Sequence, residues 1–471
     1  MGVKAALARL AAGVPARCFA VVGAEADEIA PWLRLDPELV IVDSPRAADV
    51  LLVLGRLDDE MLRAAAGVHD AMPPPRGVLS WSPRGERPVS WPPGGERPVS
   101  WPPGGERPVS WPFTDDVRVD DPAQIPAACR RLRDELLSGR RASSPDTLPD
   151  IDPAPWRGVG PFGQGGAGMT GGVPYGRPLA ARADDRDGLK LDQILVRVGP
   201  YLPPFPSGLV LDVKIQGDVI QEVSIPTPAA VAPDLMSAGA HSAGAHSLTG
   251  ERALFNAALT QPVPVTDIEV ARARHHLVWL AEALRVSGLE AYGRRVLKLA
   301  RTVRPEAAEP VDDLSRWLRR NVSLRWGTSG VGMVSASRAA ALPGGPVARA
   351  AGDGRDARSL DPAYGRLGFT PVVLEVGDAL ARWRVRIDEA QQALALAQRA
   401  GESLTTPIGL VEGPCGPIGG ERSTSAALVT MLLELLVGME WGNAVTTVVS
   451  LDIDMAEAAL PHDAAVAGRA S

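Results

Sequence analysis

Three cysteines (Cys18, Cys129 and Cys415) and six histidines are the whole stock of thiol and imidazole groups in this 471-residue chain. The cysteines are too few and too widely spaced for a disulfide framework, so their usage fits a reducing compartment. No two cysteines pair as Cys-x-x-Cys and no His-x-x-x-His occurs. The sequence therefore predicts no metal site and no independent metal catalysis. Cys18 falls in a strand-like run and Cys129 in a helix-like one, where inert buried thiols are expected. Cys415, in Gly413-Pro-Cys-Gly-Pro, stands alone. There is no P-loop and no Gly-x-Ser-x-Gly elbow. Gly158-Val-Gly-Pro-Phe-Gly163 has the dinucleotide-loop spacing, but no strand pattern precedes it and no helix pattern follows. His275-His276 and the arginines Arg382, Arg384 and Arg386 lie in helical periodicity; the arginines read as a surface ion-pair network and His275 as exposed.

The elements that must carry these groups can be read from patterning. Length alone argues for two domains. Apolar residues at 45% and charged residues at 22% are globular proportions, while 44 Pro and 49 Gly imply many loops. The net charge of −7, with lysine only at 4, 190, 214 and 298, offers no basic patch for nucleic acid. The first residues lack the apolar core and cleavage site of a secretory leader. The longest apolar run, Ala426 to Met439, contains Glu434 and is too short for a bilayer, which predicts solubility or membrane attachment only through partner subunits.

Cys18 to Val22, Leu39 to Val42, Val50 to Leu54 and Gly77 to Trp81 read as buried strands, and Asp58 to Ala71 as a helix between the last two. That rhythm predicts an α/β domain with a parallel sheet over residues 1–140. Ser80 opens a ten-residue tandem repeat, SWSPRGERPV followed twice by SWPPGGERPV and closed by SWPF. The repeat, an insertion over 80–113, is too short for a solenoid unit. It reads as a loop expansion, or alternatively as a partner-binding ladder of Trp81, Trp91, Trp101 and Trp111. A second duplication, SAGAHSAGAHS (Ser237 to Ser247), supports expansion.

Residues 141–172, rich in Pro, Gly and Asp, read as a linker. Residues 173–471 read as an α+β domain with a helical bundle. Its strands are Leu191 to Arg197, Leu209 to Ile215 and Val219 to Ile225, with a turn at Gly217-Asp218. Its helices include Ile268 to Arg285, Asp378 to Ala400 and Ala426 to Val437, the last expected at the centre of the core.

Ser44 to Trp81, with Ser-Pro-Arg, a strand ending at Gly55, a helix, Asp70-Ala-Met-Pro and Pro75-Arg76, resembles the twenty-kilodalton peripheral-arm subunit of respiratory complex I. GVGMVSASRAA (Gly330 to Ala340), GGPVARAAG (Gly344 to Gly352) and GDALARWRVRIDEAQQAL (Gly377 to Leu394) resemble the forty-nine-kilodalton subunit beside it, in its order and spacing. His275-His276-Leu-Val-Trp-Leu and VVSLDIDMAEA (Val448 to Ala458) resemble two further segments of that larger subunit.

The resemblance implies electron transfer from NADH, used by the whole complex, through a 4Fe-4S cluster to quinone bound between the two subunits. It also implies other complex I-like subunits as partners. A cubane cluster takes four thiolates, and the family's cysteine positions hold none here: Val22 to Glu28, Ser80 to Pro83 and Val117 to Gln124 contain no Cys. No cofactor is therefore expected to be retained. The family's quinone-contacting hairpin is replaced by GPYLPPFPSG (Gly199 to Gly208), where Tyr201 and Ser207 remain as hydroxyl groups for a quinone carbonyl. His276 falls where the family places a histidine beside the cluster.

The expectation is thus a complex I-like NADH–quinone oxidoreductase subunit, redox-degenerate and structural, cytoplasmic or peripheral on the cytoplasmic face of the membrane. Two alternatives stay open: an active oxidoreductase whose cluster and quinone site are completed by partner chains, and an interaction protein using the Trp repeats.

Overall fold

A computed structural model describes residues 14–83, 111–148, 180–185, 188–226 and 251–458, apart from 402, 410 and 421. The middle of the Trp repeat, the Gly158–Gly163 loop and the SAGAHS duplication lie outside these residues.

The first domain is a five-stranded parallel sheet in the order β2-β1-β3-β4-β5. Its strands are β1 (Ala16–Val22), β2 (Leu39–Ile41), β3 (Val50–Leu54), β4 (Gly77–Trp81) and β5 (Val117–Val119). Every residue of β3 and β4 is buried, as expected of central strands covered on both faces. Alternation along β3 sends Val50, Leu52 and Leu54 into one apolar layer and Leu51 and Val53 into the other. Helix α1 (Asp59–Asp70) covers the second face with Leu62 and Ala65, and α2 (Ile125–Leu137) covers the first with Ala128, Cys129 and Leu132. Asp58 caps α1 by accepting from the Met61 amide at 2.7 Å.

Trp81 and Trp111, the outer members of the repeat's four tryptophans, are 5% and 8% exposed. Trp111 packs edge-on against Phe113. Neither is available to a partner, so a four-tryptophan ladder does not form. Residues 143–148 lie against the same domain: the Arg76 amide donates to Ser143 Oγ at 3.0 Å and the Thr147 amide to Asp70.

The second domain starts with an antiparallel sheet of β6 (Ala181–Asp184), β7 (Lys190–Val198), β8 (Leu211–Gln216) and β9 (Val219–Ser224). Gly217, at φ 62°, makes the β8–β9 turn. The bundle that follows centres on two 22-residue helices, α4 (Val265–Val286) and α7 (Ala379–Ala400). Around them stand α3 (Glu251–Ala257), α5 (Glu290–Thr302), the short α6 (Gly345–Ala350), α8 (Thr424–Leu435) and α9 (Trp441–Leu451). Between α7 and α8 a two-residue-per-strand hairpin, β10 (Val411–Glu412) and β11 (Pro417–Ile418), carries Cys415 at its tip.

Helix α8 buries one face only. Leu428, Leu432 and Leu435, with Leu436 at its C-terminal cap, reach the core, and Val437 beyond them is 48% exposed. A run that is apolar at nearly every position carries little periodicity to mark the buried face. Arg382 and Arg386 depart in the opposite direction. They are 0% and 1% exposed, because α7 is surrounded by other elements of the bundle and both project inward. Arg382 donates to the carbonyls of Gly332 and Gly377, each at 2.9 Å, and Arg386 stacks over Trp279. Burying a guanidinium is tolerated where its N–H groups find such partners.

Candidate functional site

Among the described residues, two arrangements of polar side chains stand out in the bundle, with two large cavities beside it.

The first arrangement is an ion-pair network linking α4, α6, α7 and β10. Arg349 Nε donates to Glu389 Oε1 at 2.6 Å, and its Nη1 reaches Glu412 Oε1 at 2.7 Å and Asp356 Oδ2 at 3.0 Å. Arg358 bridges Asp356 at 2.8 Å and Glu269 at 3.3 Å. Glu269 also pairs with Arg272 at 3.1 Å and accepts from the Tyr364 hydroxyl at 2.6 Å. All of these side chains are at most a few per cent exposed. Against the opposing cost of burial, Arg349, His276 and Arg358 hold the Glu389 carboxyl well below its ordinary range.

His276 belongs to this network. Its Nε2 stands 3.1 Å from Glu389 Oε2, off hydrogen-bond alignment. Burial drives its pKa down to about 3 despite the neighbouring carboxylate. It lines neither cavity.

The second arrangement brings together His275, Cys415 and Asp452, from α4, the β10–β11 tip and the residue after α9. His275 Nε2 is 3.0 Å from Asp452 Oδ2 and 3.8 Å from Cys415 Sγ, and the thiol is 3.7 Å from the same carboxylate oxygen. Arg386 Nη1 lies 2.9 Å from Asp452 Oδ2. Arg386 and His275 together hold the Asp452 carboxyl far below its usual range against desolvation, and burial pushes the Cys415 thiol well up. His275 is thus half-buried and partnered, not exposed, and Cys415 is not alone. The cause is tertiary: 140 residues separate the two in sequence.

Sequence reasoning passed over Asp452. Its one local signal is an acid directly after a helix C-terminus, where the helix dipole disfavours negative charge. A compensating cation had to be sought elsewhere, and Arg386 supplies it.

A cavity of about 800 Å³ opens beside this trio at the seam between the domains. A second, of about 410 Å³, lies between β1 and β2, the 199–208 loop and helices α4 and α5. Tyr201 and Ser207 line the second. Both hydroxyls are turned to the first domain: Tyr201 Oη donates to the Met61 carbonyl at 2.8 Å and Ser207 Oγ to the Val22 carbonyl. The structure does not bring Tyr201 and Ser207 together with His276.

The cysteines do not fit a cubane cluster. Cys18 and Cys129 face one another between β1 and α2, Cys415 sits in the other domain, and the C-terminal ends of β1, β3 and β4 carry no thiol.

Residues 280–415 match the family model described as respiratory-chain NADH dehydrogenase, 49 Kd subunit. The chain is similar to the second D-type subunit of NADH-quinone oxidoreductase from Salinispora arenicola, 38% identical over 115 residues, which is 23% of this chain and 30% of the relative. It is also similar to the proteins of that name from Salinispora tropica (37% over 115 residues, 23% and 30%) and Sinorhizobium medicae (34% over 97 residues, 20% and 24%). The match spans under a third of these relatives' own length. A solved structure titled as the membrane-bound sulfane sulfur reductase, an archaeal respiratory membrane complex, contains a chain with 19% identity and a TM-score of 0.42. The alignment covers 57% of this chain and 98% of that one. Among the described residues no helix is long and apolar enough to cross a membrane.

Proposed function

We propose that this chain is a subunit of a complex I-like NADH–quinone oxidoreductase assembly, with a twenty-kilodalton-type sheet domain and a forty-nine-kilodalton-type domain in one polypeptide, and that it organises partner subunits without passing electrons itself. The observation that carries the reading is the match to the larger of these two subunit types over 280–415. That stretch contains Gly330 to Ala340, Gly344 to Gly352 and Gly377 to Leu394, and with them most of the buried Arg349–Glu389–Glu412 network. The sheet domain, residues 1–140, is assigned to the smaller type on Ser44 to Trp81 and on its parallel order. The absence of electron transfer rests on the cysteines, three in number and scattered over both domains. Partners are other complex I-like subunits, and any membrane contact on the cytoplasmic face runs through them.

The test is affinity isolation of the full chain from its host under mild detergent. Co-isolation of complex I-type hydrophilic and membrane subunits supports the assembly. Recovery of the chain alone from intact membranes and cytosol alike contradicts it.

One observation favours a second reading, an oxidoreductase completed by partner chains. The 410 Å³ cavity between the domains has apolar walls, from Val22, Val42, Phe205 and Leu297, with Arg34 and Arg285 beside them. That is the form of a pocket for an amphipathic ring such as a quinone. Quenching of Trp279 fluorescence by a short-chain ubiquinone, abolished by filling the cavity with Ala20→Trp, would favour it.

A further inference from the structure

We propose that His275, Cys415 and Asp452 form a site for a single divalent transition cation of the zinc type, with an open coordination position facing the larger interdomain cavity. The inference is independent of the assembly above.

The donor set is imidazole nitrogen, thiol sulfur and carboxylate oxygen, and their ligating atoms all lie within 4.8 Å of one another. Zinc bound tetrahedrally to such donors, at about 2.0–2.3 Å, holds them roughly 3.4–3.6 Å apart. The separations here are 3.0, 3.8 and 3.7 Å. A cation at bonding distance from all three requires shifts of at most about 0.4 Å in any edge. Imidazole and thiolate together select borderline and soft cations over magnesium or calcium. Three protein ligands with a fourth position open to a cavity is the pattern of reactive zinc sites, as opposed to closed structural ones.

The supports around the trio are specific. Asp452 adopts φ 54° and ψ 60°, a left-handed conformation uncommon for a residue with a side chain. That conformation directs its carboxylate back to His275 instead of continuing α9. The Cys415 tip is held by close approach to Gly345, where an added Cβ would stand 2.2 Å from the Cys415 carbonyl oxygen. Arg386 Nη1 holds the Asp452 carboxylate at 2.9 Å, through the same Oδ2 that faces His275 and Cys415. Its positive charge acts against a cation. Five further carboxylates line the cavity, among them Glu251, Asp454 and Glu457, against three guanidinium groups, so the mouth of the site is net acidic.

The experiment uses the full chain without a histidine tag, stripped with chelator, then titrated calorimetrically with Zn²⁺ and spectroscopically with Co²⁺. The expected result is one tight Zn²⁺ per chain and a Co²⁺ spectrum with thiolate charge-transfer bands and strong tetrahedral d–d absorption. Cys415→Ser and His275→Gln, each with unchanged circular dichroism, should weaken Zn²⁺ by at least roughly 100-fold, while Cys129→Ser has no effect. Equal Zn²⁺ affinity in the parent and Cys415→Ser overturns the site. If Cys415→Ser fails to fold, the parent's cobalt spectrum decides alone: charge-transfer bands support the site and their absence overturns it.

Discussion

Tyr201 and Met61 are 140 residues apart in the chain, yet the Tyr201 hydroxyl donates to the Met61 carbonyl at 2.8 Å and so ties the second domain to helix α1 of the first. The 199–208 loop, which in sequence reads as the relic of a ligand-contacting hairpin, is used here as an interdomain fastening. The Ser207 hydroxyl does the same at the Val22 carbonyl.

Tyr201→Phe removes one part-buried hydrogen bond, while the Met61 carbonyl keeps its partner inside helix α1. The expected loss is about 0.5–1.5 kcal/mol, read as a lower urea midpoint, with earlier proteolytic separation of the two domains. A variant indistinguishable from the parent in both measurements would mean that the contact does not hold the domains together.

Arg349 is the hub of the buried network, with Glu389, Glu412 and Asp356 all within 3.0 Å of its guanidinium. Arg349→Met removes the cation shared by three buried carboxylates, of which Asp356 keeps Arg358 while Glu389 and Glu412 lose their guanidinium partner. Removing one partner from a buried ion pair costs about 3–5 kcal/mol, so the variant should melt far below the parent or fail to accumulate. Arg319→Met, which breaks a half-exposed pair with Asp388, should cost under about 1 kcal/mol. Comparable losses from both would argue that burial does not set the cost.

Acid sensitivity should trace to His69, buried against Phe113 and 2.7 Å from Asp70. Burial lowers its pKa below the ordinary value in the fold, despite Asp70. The unfolded chain therefore binds this proton more readily than the native protein. Its contribution to stability is full above about pH 6.5 and is lost as pH falls below that value toward the folded pKa. His69→Phe should flatten the fall of the urea midpoint below about pH 6.5. An unchanged pH slope would remove His69 from the account.

Trp111→Ala should cost about 3–5 kcal/mol, because Trp111 is buried in the sheet domain against Phe113. Deleting residues 90–109, two whole repeats, should leave the denaturation midpoint unchanged if the repeat is a loop expansion. A large loss from the deletion would give the inner repeats a structural role.

Strands β3 and β4 were legible to the residue, because an unbroken apolar run between Asp49 and Gly55, and one interrupted only by Ser80 between Arg76 and Ser82, mark strands buried on both faces. The β8–β9 turn was legible in Gly217-Asp218. Burial of charge was not. Arg382 and Arg386 lie four apart and share a helix face, a pattern identical for an exposed ion-pair stripe and an inward one. Which face turns inward depends on α4, Gly332 and Leu451, none of them near in sequence. The trio of His275, Cys415 and Asp452 was illegible for the same reason, since only the bundle brings α4, the β10–β11 tip and the end of α9 together.

Iron and acid-labile sulfide content decides whether a complex I-type scaffold persists here without its own cluster, as proposed above. The assay is made on the anaerobically isolated full chain, with low-temperature electron paramagnetic resonance of the dithionite-reduced protein. No cubane signal is expected, and no iron beyond what leaves with separable partners. About four irons and four sulfides per chain, with a cubane signal that stays with the isolated polypeptide, would contradict that proposal.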